Sequence, residues 1–227
     1  MIDGVQQRDP AFHAAALRLS RVPWENGPLE PKVKELISIA IYAAATHLFA
    51  PGIRTHIAAA REHGASDPEI MEVFELTSVL GIHTLTVAVP ILLEELATAG
   101  PGDEFAERPF TPREAELKER FVAVRGYWSD LWNGVLRLDA DFFAAYLEFS
   151  SVPWTNGPLE PKVKELVYIA IDVSTTHLFE PGTRIHIRNA LGYGATAAEI
   201  MEVFELTSLL GLDTLTAGVP ALAEGGG

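Results

Sequence analysis

Shifted by 130 residues, the chain overlies itself. Val22–Leu36 (VPWENGPLEPKVKEL) returns as Val152–Leu166 (VPWTNGPLEPKVKEL) with a single difference, and the register then holds without a gap. Thr46-His47-Leu48-Phe49 returns as Thr176-His177-Leu178-Phe179, and Glu69–Ser78 returns as Glu199–Ser208. About two-thirds of positions 22–92 are identical to their counterparts. The period is far longer than the roughly 20–50 residues of solenoid repeats, so it marks a duplicated domain. Whatever one half folds into, the other folds into as well. The join falls near Thr98–Pro112, where Gly100-Pro101-Gly102 and Pro109-Phe110-Thr111-Pro112 punctuate the chain. This places a first repeat at 1–99, a linker at 100–113 and a second repeat at 114–227.

Each half reads as helices. Pro31 suits a first helical turn, and Val33, Leu36, Ile37, Ala40 and Ile41 form one buried stripe. A break is expected at Ala50-Pro51-Gly52, and a second helix after it that ends at Gly64. Ser66-x-x-Glu69 is a capping box opening a third helix, matched by Thr196-x-x-Glu199. Gly81 and Pro90 are expected to interrupt the apolar stretch beyond that helix. Pro112–Val124 adds an amphipathic segment with no equivalent in the first half. No strand pattern stands out. The expected fold class is all-α, with two tandem homologous helical domains related by a pseudo-two-fold.

Composition closes off several chemistries. Among 227 residues there is no Cys, which excludes disulfides, zinc–thiolate and iron–sulfur sites, and thiol catalysis. The net charge of −14 comes without a basic stripe, so no nucleic-acid partner is expected. Met1 to Pro10 is polar and reads as no signal peptide. The most apolar windows, Leu36–Ala45 and Val79–Leu93, read as buried helices too short or too interrupted to span a bilayer. The expectation is a cytoplasmic protein with no membrane partner.

Of seven histidines, four are shared between the halves: His47/His177 and His56/His186. Glu35/Glu165, Arg54/Arg184, Lys32/Lys162, Lys34/Lys164 and Trp24/Trp154 are shared too, whereas Tyr42 faces Asp172 and His83 faces Asp213 across the register. His47 reads as ending one helix and His56 as lying in the second turn of the next, which brings them within about 10 Å. Glu35 precedes His47 by twelve residues, so a straight helix would separate them by ~18 Å. Only a crossing of helices, or the other half, can bring it near. Each shared residue also has a plainer use. The histidines could be satisfied core or helix-end groups, Glu35 could pair with a buried cation, and Arg54 could form an interhelical or interface salt bridge. Lys32 and Lys34 could be a solvated face, and Trp24 part of a packed turn.

The Lys-Glu-Leu element, an apolar helix, and then His-x-x-x-Ala-x-x-x-Gly-Ala-(Ser/Thr)-x-x-Glu-Ile-x-Glu recur over Pro31–Leu80 and Pro161–Leu210. This pattern resembles the carboxymuconolactone decarboxylase / alkylhydroperoxidase D-like superfamily. The resemblance implies that Glu35/Glu165 and His56/His186 are the proton-relay positions. The first Cys of the peroxidase branch is replaced by His47 or His177, and the second is missing as well, so thiol peroxidase activity has no nucleophile. The decarboxylase branch needs none. Losing CO₂ from a small carboxylated lactone leaves an enolate-like carbanion that a His or Glu can protonate. The implied roles are Glu35, His47, His56, Glu165, His177 and His186 in catalysis, and Arg54, Arg184, Trp24 and Trp154 in substrate binding, with Lys34 as a further carboxylate anchor. The expected protein is a cofactor-independent lyase or proton-transfer enzyme for a small-molecule substrate. The family's habit of oligomerising implies a homo-oligomer, a dimer or trimer. Two alternatives stay open: a divalent-metal enzyme using His47, His56, His177 and His186 as ligands, and a non-catalytic binding or scaffold protein.

Overall fold

A computed structural model describes residues 3–100 and 108–224, so half of the expected linker at 100–113 lies outside the described residues. In the first half the helices are α1 (Asp3–Arg8), α2 (Pro10–Asn26), α3 (Pro31–Ala43), α4 (Ala50–Glu62), α5 (Asp67–Ser78) and α6 (His83–Ala99). Next come α7 (Pro112–Arg125), α8 (Leu131–Leu138), α9 (Ala140–Asn156), α10 (Pro161–Val173), α11 (Glu180–Gly192), α12 (Ala197–Ser208) and α13 (Asp213–Glu224). The protein is all-α, and no strand occurs among the described residues.

Local chemistry accounts for the helix starts. Asp9 and Asp139 each accept the backbone N–H three residues on, capping α2 and α9. Thr196 and Glu199 cap reciprocally at α12, and Ser66 and Glu69 do the same ahead of α5. Pro31, Pro51, Pro161 and Pro181 occupy first turns, where a missing N–H costs nothing. The expected break at Ala50-Pro51-Gly52 therefore belongs to the start of α4, and the real connection is 44–49. Gly81 lies in a 3₁₀ turn, Val79–Ile82, and Pro90 sits inside α6 without ending it. By length and composition alone the stretch Asp67–Ala99 is enough to cross a membrane, which differs from the reading of 79–93 as too interrupted. Part of it is core, since Glu72 is buried in an ion pair.

Two compact units are present, Met1–Thr77 with Leu159–Gly227, and Ser78–Pro158. The units do not coincide with the repeats. In the first, the equivalent helices α3 and α10 pack against each other, and α12 packs on both. The pseudo-two-fold shows in reciprocal contacts. Lys34 is 2.7 Å from Glu202 and Lys164 is 2.8 Å from Glu72, all four buried. The same carboxylates accept the N–H of Leu29 (2.7 Å) and of Leu159 (2.6 Å). Lys34 and Lys164 are thus not a solvated face, because each must neutralise a carboxylate that the other half buries. Lys32 and Lys162 do lie nearer the surface, paired with Glu69 and Glu199.

The second unit is built on an aromatic core in which Phe121 packs against Trp128, Trp132 and Phe143. Its α7 is the expected amphipathic segment, opened by a Thr111–Glu114 capping box. The Arg108 guanidinium beside Glu114 holds that carboxyl down at about 2.

Candidate active site

The α3–α4 hairpin is closed by a tight connection in which Leu48 and its counterpart Leu178 adopt φ of 49° and 50°. A bulky residue in the left-handed region costs roughly 1–2 kcal/mol, and both halves keep it next to His47 and His177. Phe49 N–H then bonds back to the Tyr42 carbonyl at 3.0 Å. Gly52 is required just beyond the turn, because a Cβ there would lie 2.4 Å from the Tyr42 ring. Glycine lets α4 lie close along α3. His47 is therefore in the connection itself, not in a last helical turn, which removes the helix-dipole reason for a His at that place.

This close approach brings together residues 21 apart in sequence: Glu35 Oε2 is 2.6 Å from His56 Nδ1. The crossing of α3 and α4 does what spacing along one helix could not. Glu35 is buried and His56 half-buried. An ionised Glu35 makes Nδ1 the protonated nitrogen and leaves Nε2 to exchange a proton. Tyr42 stacks on His56 with ring centroids 5.0 Å apart and 16° between planes, and it also contacts the His47 ring at 5.6 Å.

The other half completes the arrangement. Asp213, from α13, accepts from the Tyr42 hydroxyl at 3.3 Å and lies 3.3 Å from His47 Nε2. Burial, and then Asp213, push the Tyr42 hydroxyl well above the usual phenol range, so it stays a donor. Burial also raises Asp213, more than His47 beside it lowers it. His56 lines a small cavity of about 60 Å³ together with Trp24, Ser38, Ile41 and Tyr42. Leu206, Leu209 and Leu210 of the second half close it. Sequence reasoning missed Asp213, Ser38 and the leucines as site residues. The one signal for Asp213 was its pairing with His83 across an otherwise conservative register.

In the second half Glu165 Oε2 is again 2.6 Å from His186 Nδ1, but the surroundings differ. Tyr168, not the residue at the Tyr42 position, packs on the His186 ring at 4.6 Å, one helical turn earlier on its helix. The Tyr42 position holds Asp172, whose Oδ2 is 3.9 Å from His186 Nε2. Asn189 adds a hydrogen bond to Glu165 at 3.1 Å. The His186 side chain is 9% exposed, against 18% for His56. Burial lowers the pKa of His177 and so favours its neutral form.

Burial pushes Asp172 up to about 7, only partly opposed by His186 and reinforced by Glu165. The folded protein therefore holds a proton that the unfolded chain releases near pH 4, and this penalty grows from about pH 4 to about pH 7. Asp172→Asn is expected to match the parent in stability near pH 4 and to exceed it by roughly 2–4 kcal/mol at pH 8. Denaturant unfolding at both pH values checks this, and a variant equally stable or less stable at pH 8 would refute it.

Some expected site residues are elsewhere. Arg54 is exposed, and two positions before His56 it points to another side of α4. Arg184 is exposed and paired with Glu180 on its own helix. Lys34 is held by Glu202. Trp154 lies under the Arg125 guanidinium, 4.8 Å away. Within one chain, Trp24 is the substrate-binding candidate that reaches the His56 cavity.

Known proteins share this arrangement of helices. The sequence profile of the carboxymuconolactone decarboxylase family matches residues 10–92 and again 140–224. A crystal structure from Burkholderia xenovorans LB400, of a protein provisionally named a gamma-carboxymuconolactone decarboxylase subunit, superposes with a TM-score of 0.95 at 46% identity. The match covers 98% of this chain and 89% of that one. No curated protein sequence matches the chain.

Proposed function

The chain belongs to the carboxymuconolactone decarboxylase family, and on that premise we propose that it is an enzyme for decarboxylation or proton transfer on a small lactone-like compound, whose reaction turns on proton transfer by His56. The observation that carries this reading is the 2.6 Å contact of His56 Nδ1 with buried Glu35 on a ring that lines a cavity. A carboxylate on Nδ1 fixes the tautomer and stabilises the imidazolium that forms when Nε2 takes a proton. Tyr42, held by Asp213, keeps the ring in place. The first-half site is the reactive one, because His186 is more deeply enclosed beneath Tyr168 and Asp172. The chemistry is cofactor-independent: acid and base are both supplied by the Glu–His pair. Turnover of small lactones by chelator-treated, metal-free protein is expected to equal that of untreated protein. A loss restored by a divalent ion would sink the cofactor-independent reading.

The same positions expose apolar side chains in both halves: Phe12 and Phe142, Leu48 and Leu178, Met71 and Met201. We read these as contacts between copies in a homo-oligomer of two or three chains. Light scattering at micromolar concentration reports the size, and a monomer would refute the assignment.

A further inference from the structure

Besides His56, the cavity is walled by Trp24, Ser38, Tyr42 and aliphatic side chains, and no Lys or Arg among the described residues lines it. The two cations nearest in sequence are committed or turned away. The Lys34 ammonium lies 2.7 Å from Glu202 and 2.7 Å from the Pro23 carbonyl, and Arg54 is exposed. Carboxylates, by contrast, are close: Glu35 is on His56, and Asp213 is on Tyr42 and His47. An anion entering here would lose its hydration beside two acidic side chains, with no Lys or Arg to replace it and with each nearby imidazole already held by one of those carboxylates. The polar groups of the wall are neutral: the Trp24 indole, and the Ser38 and Tyr42 hydroxyls, which donate to the Lys34 carbonyl and to Asp213.

We infer that the first-half site takes a small uncharged carbonyl compound, an unsaturated lactone or ketone, and moves a proton on it instead of removing CO₂. The inference rests on the reading of His56 as the acid–base. A cavity of about 60 Å³ is well below the roughly 300–1,000 Å³ of drug-sized sites, which limits the substrate to a single small ring. In the step, His56 Nε2 takes the proton from the carbon next to the carbonyl. The C–H electron pair becomes the enolate double bond, and the carbonyl π pair moves onto oxygen. Return of that proton to the far carbon of the conjugated system relocates the double bond. Atoms and charge balance with no co-reactant, and the Glu35–His56 pair ends as it began.

The probes are α-angelica lactone, an uncharged unsaturated five-membered ring, and the same ring bearing a carboxymethyl group. Full-length protein in D₂O is monitored by proton NMR for deuterium entry and double-bond migration, and the His56 ring resonances report binding. The uncharged ring is expected to exchange at least about tenfold faster than the carboxylated one, since like charges at close range disfavour the bound anion. His56→Gln abolishes that exchange, and circular dichroism and denaturant unfolding that match the parent's control for folding. Equal or faster turnover of the carboxylated ring, lost in His56→Gln, would overturn the uncharged-substrate inference and leave the His56 chemistry standing. Exchange that survives His56→Gln would overturn both. An uncharged ring that neither exchanges nor shifts the His56 resonances would overturn the inference.

Discussion

Replacing His56 by Gln is expected to lower turnover by about 10²–10⁴-fold, the usual worth of a positioned general acid–base. The fold should survive, because the Gln amide can still donate to Glu35 from the same helical turn. His186→Gln should stay within a few-fold of the parent, since that ring is enclosed by Tyr168 and Asp172. Glu35→Gln separates positioning from chemistry. Its carboxamide keeps the packing but no longer requires Nδ1 to be protonated, so kcat should fall while KM changes little. A loss of the same size in His186→Gln would show two working sites. Full activity in His56→Gln would end the acid–base reading.

The largest effect on stability is expected at the buried ion pairs between the repeats. Lys34→Met removes the cation 2.7 Å from Glu202 and leaves that carboxylate buried and uncompensated. Breaking a buried pair from one side typically costs about 3–5 kcal/mol, and a loss of that size is expected in denaturant unfolding. Adding Glu202→Gln should recover most of it. The carboxamide still accepts the Leu29 N–H, which the carboxylate now binds at 2.7 Å, without carrying a charge. A double variant no more stable than Lys34→Met would mean that lost packing, not the stranded charge, causes the destabilisation. Gly27 supports the same carboxylate: a Cβ there would lie 1.9 Å from Glu202 Oε1, so the backbone is drawn in tightly around it.

Lys34 shows how a correct local reading can assign the wrong environment. Its sequence neighbours put it on the first turns of an amphipathic helix, where lysine normally faces water. Nothing near it in sequence discloses that Glu202, 168 residues away by subtraction of their numbers, is delivered against it. Arg54 shows the converse. The duplication kept it, which made it a natural anchor for a substrate carboxylate. Yet it lies two residues from His56 on one helix, and that spacing already turns it aside. The sequence alone predicts a helix that ends at His47. The Leu48 turn ends α3 at Ala43 instead.

By itself the sequence determined the duplication, the all-helical class, the capping boxes at Ser66 and Thr196, the absence of any thiol, and the Glu and His pair that each half carries. All of these are local, or are repeated in register, so periodicity and residue type suffice to read them. Only the tertiary structure decided which groups meet. Gly52 sets how closely α4 lies on α3 and so joins Glu35 to His56. Packing of one repeat on the other brings Asp213 and three leucines to the first site and locks Lys34 away from it. Those contacts depend on helix crossings set by the volumes of a whole core, a property of the summed packing that no stretch of sequence carries alone.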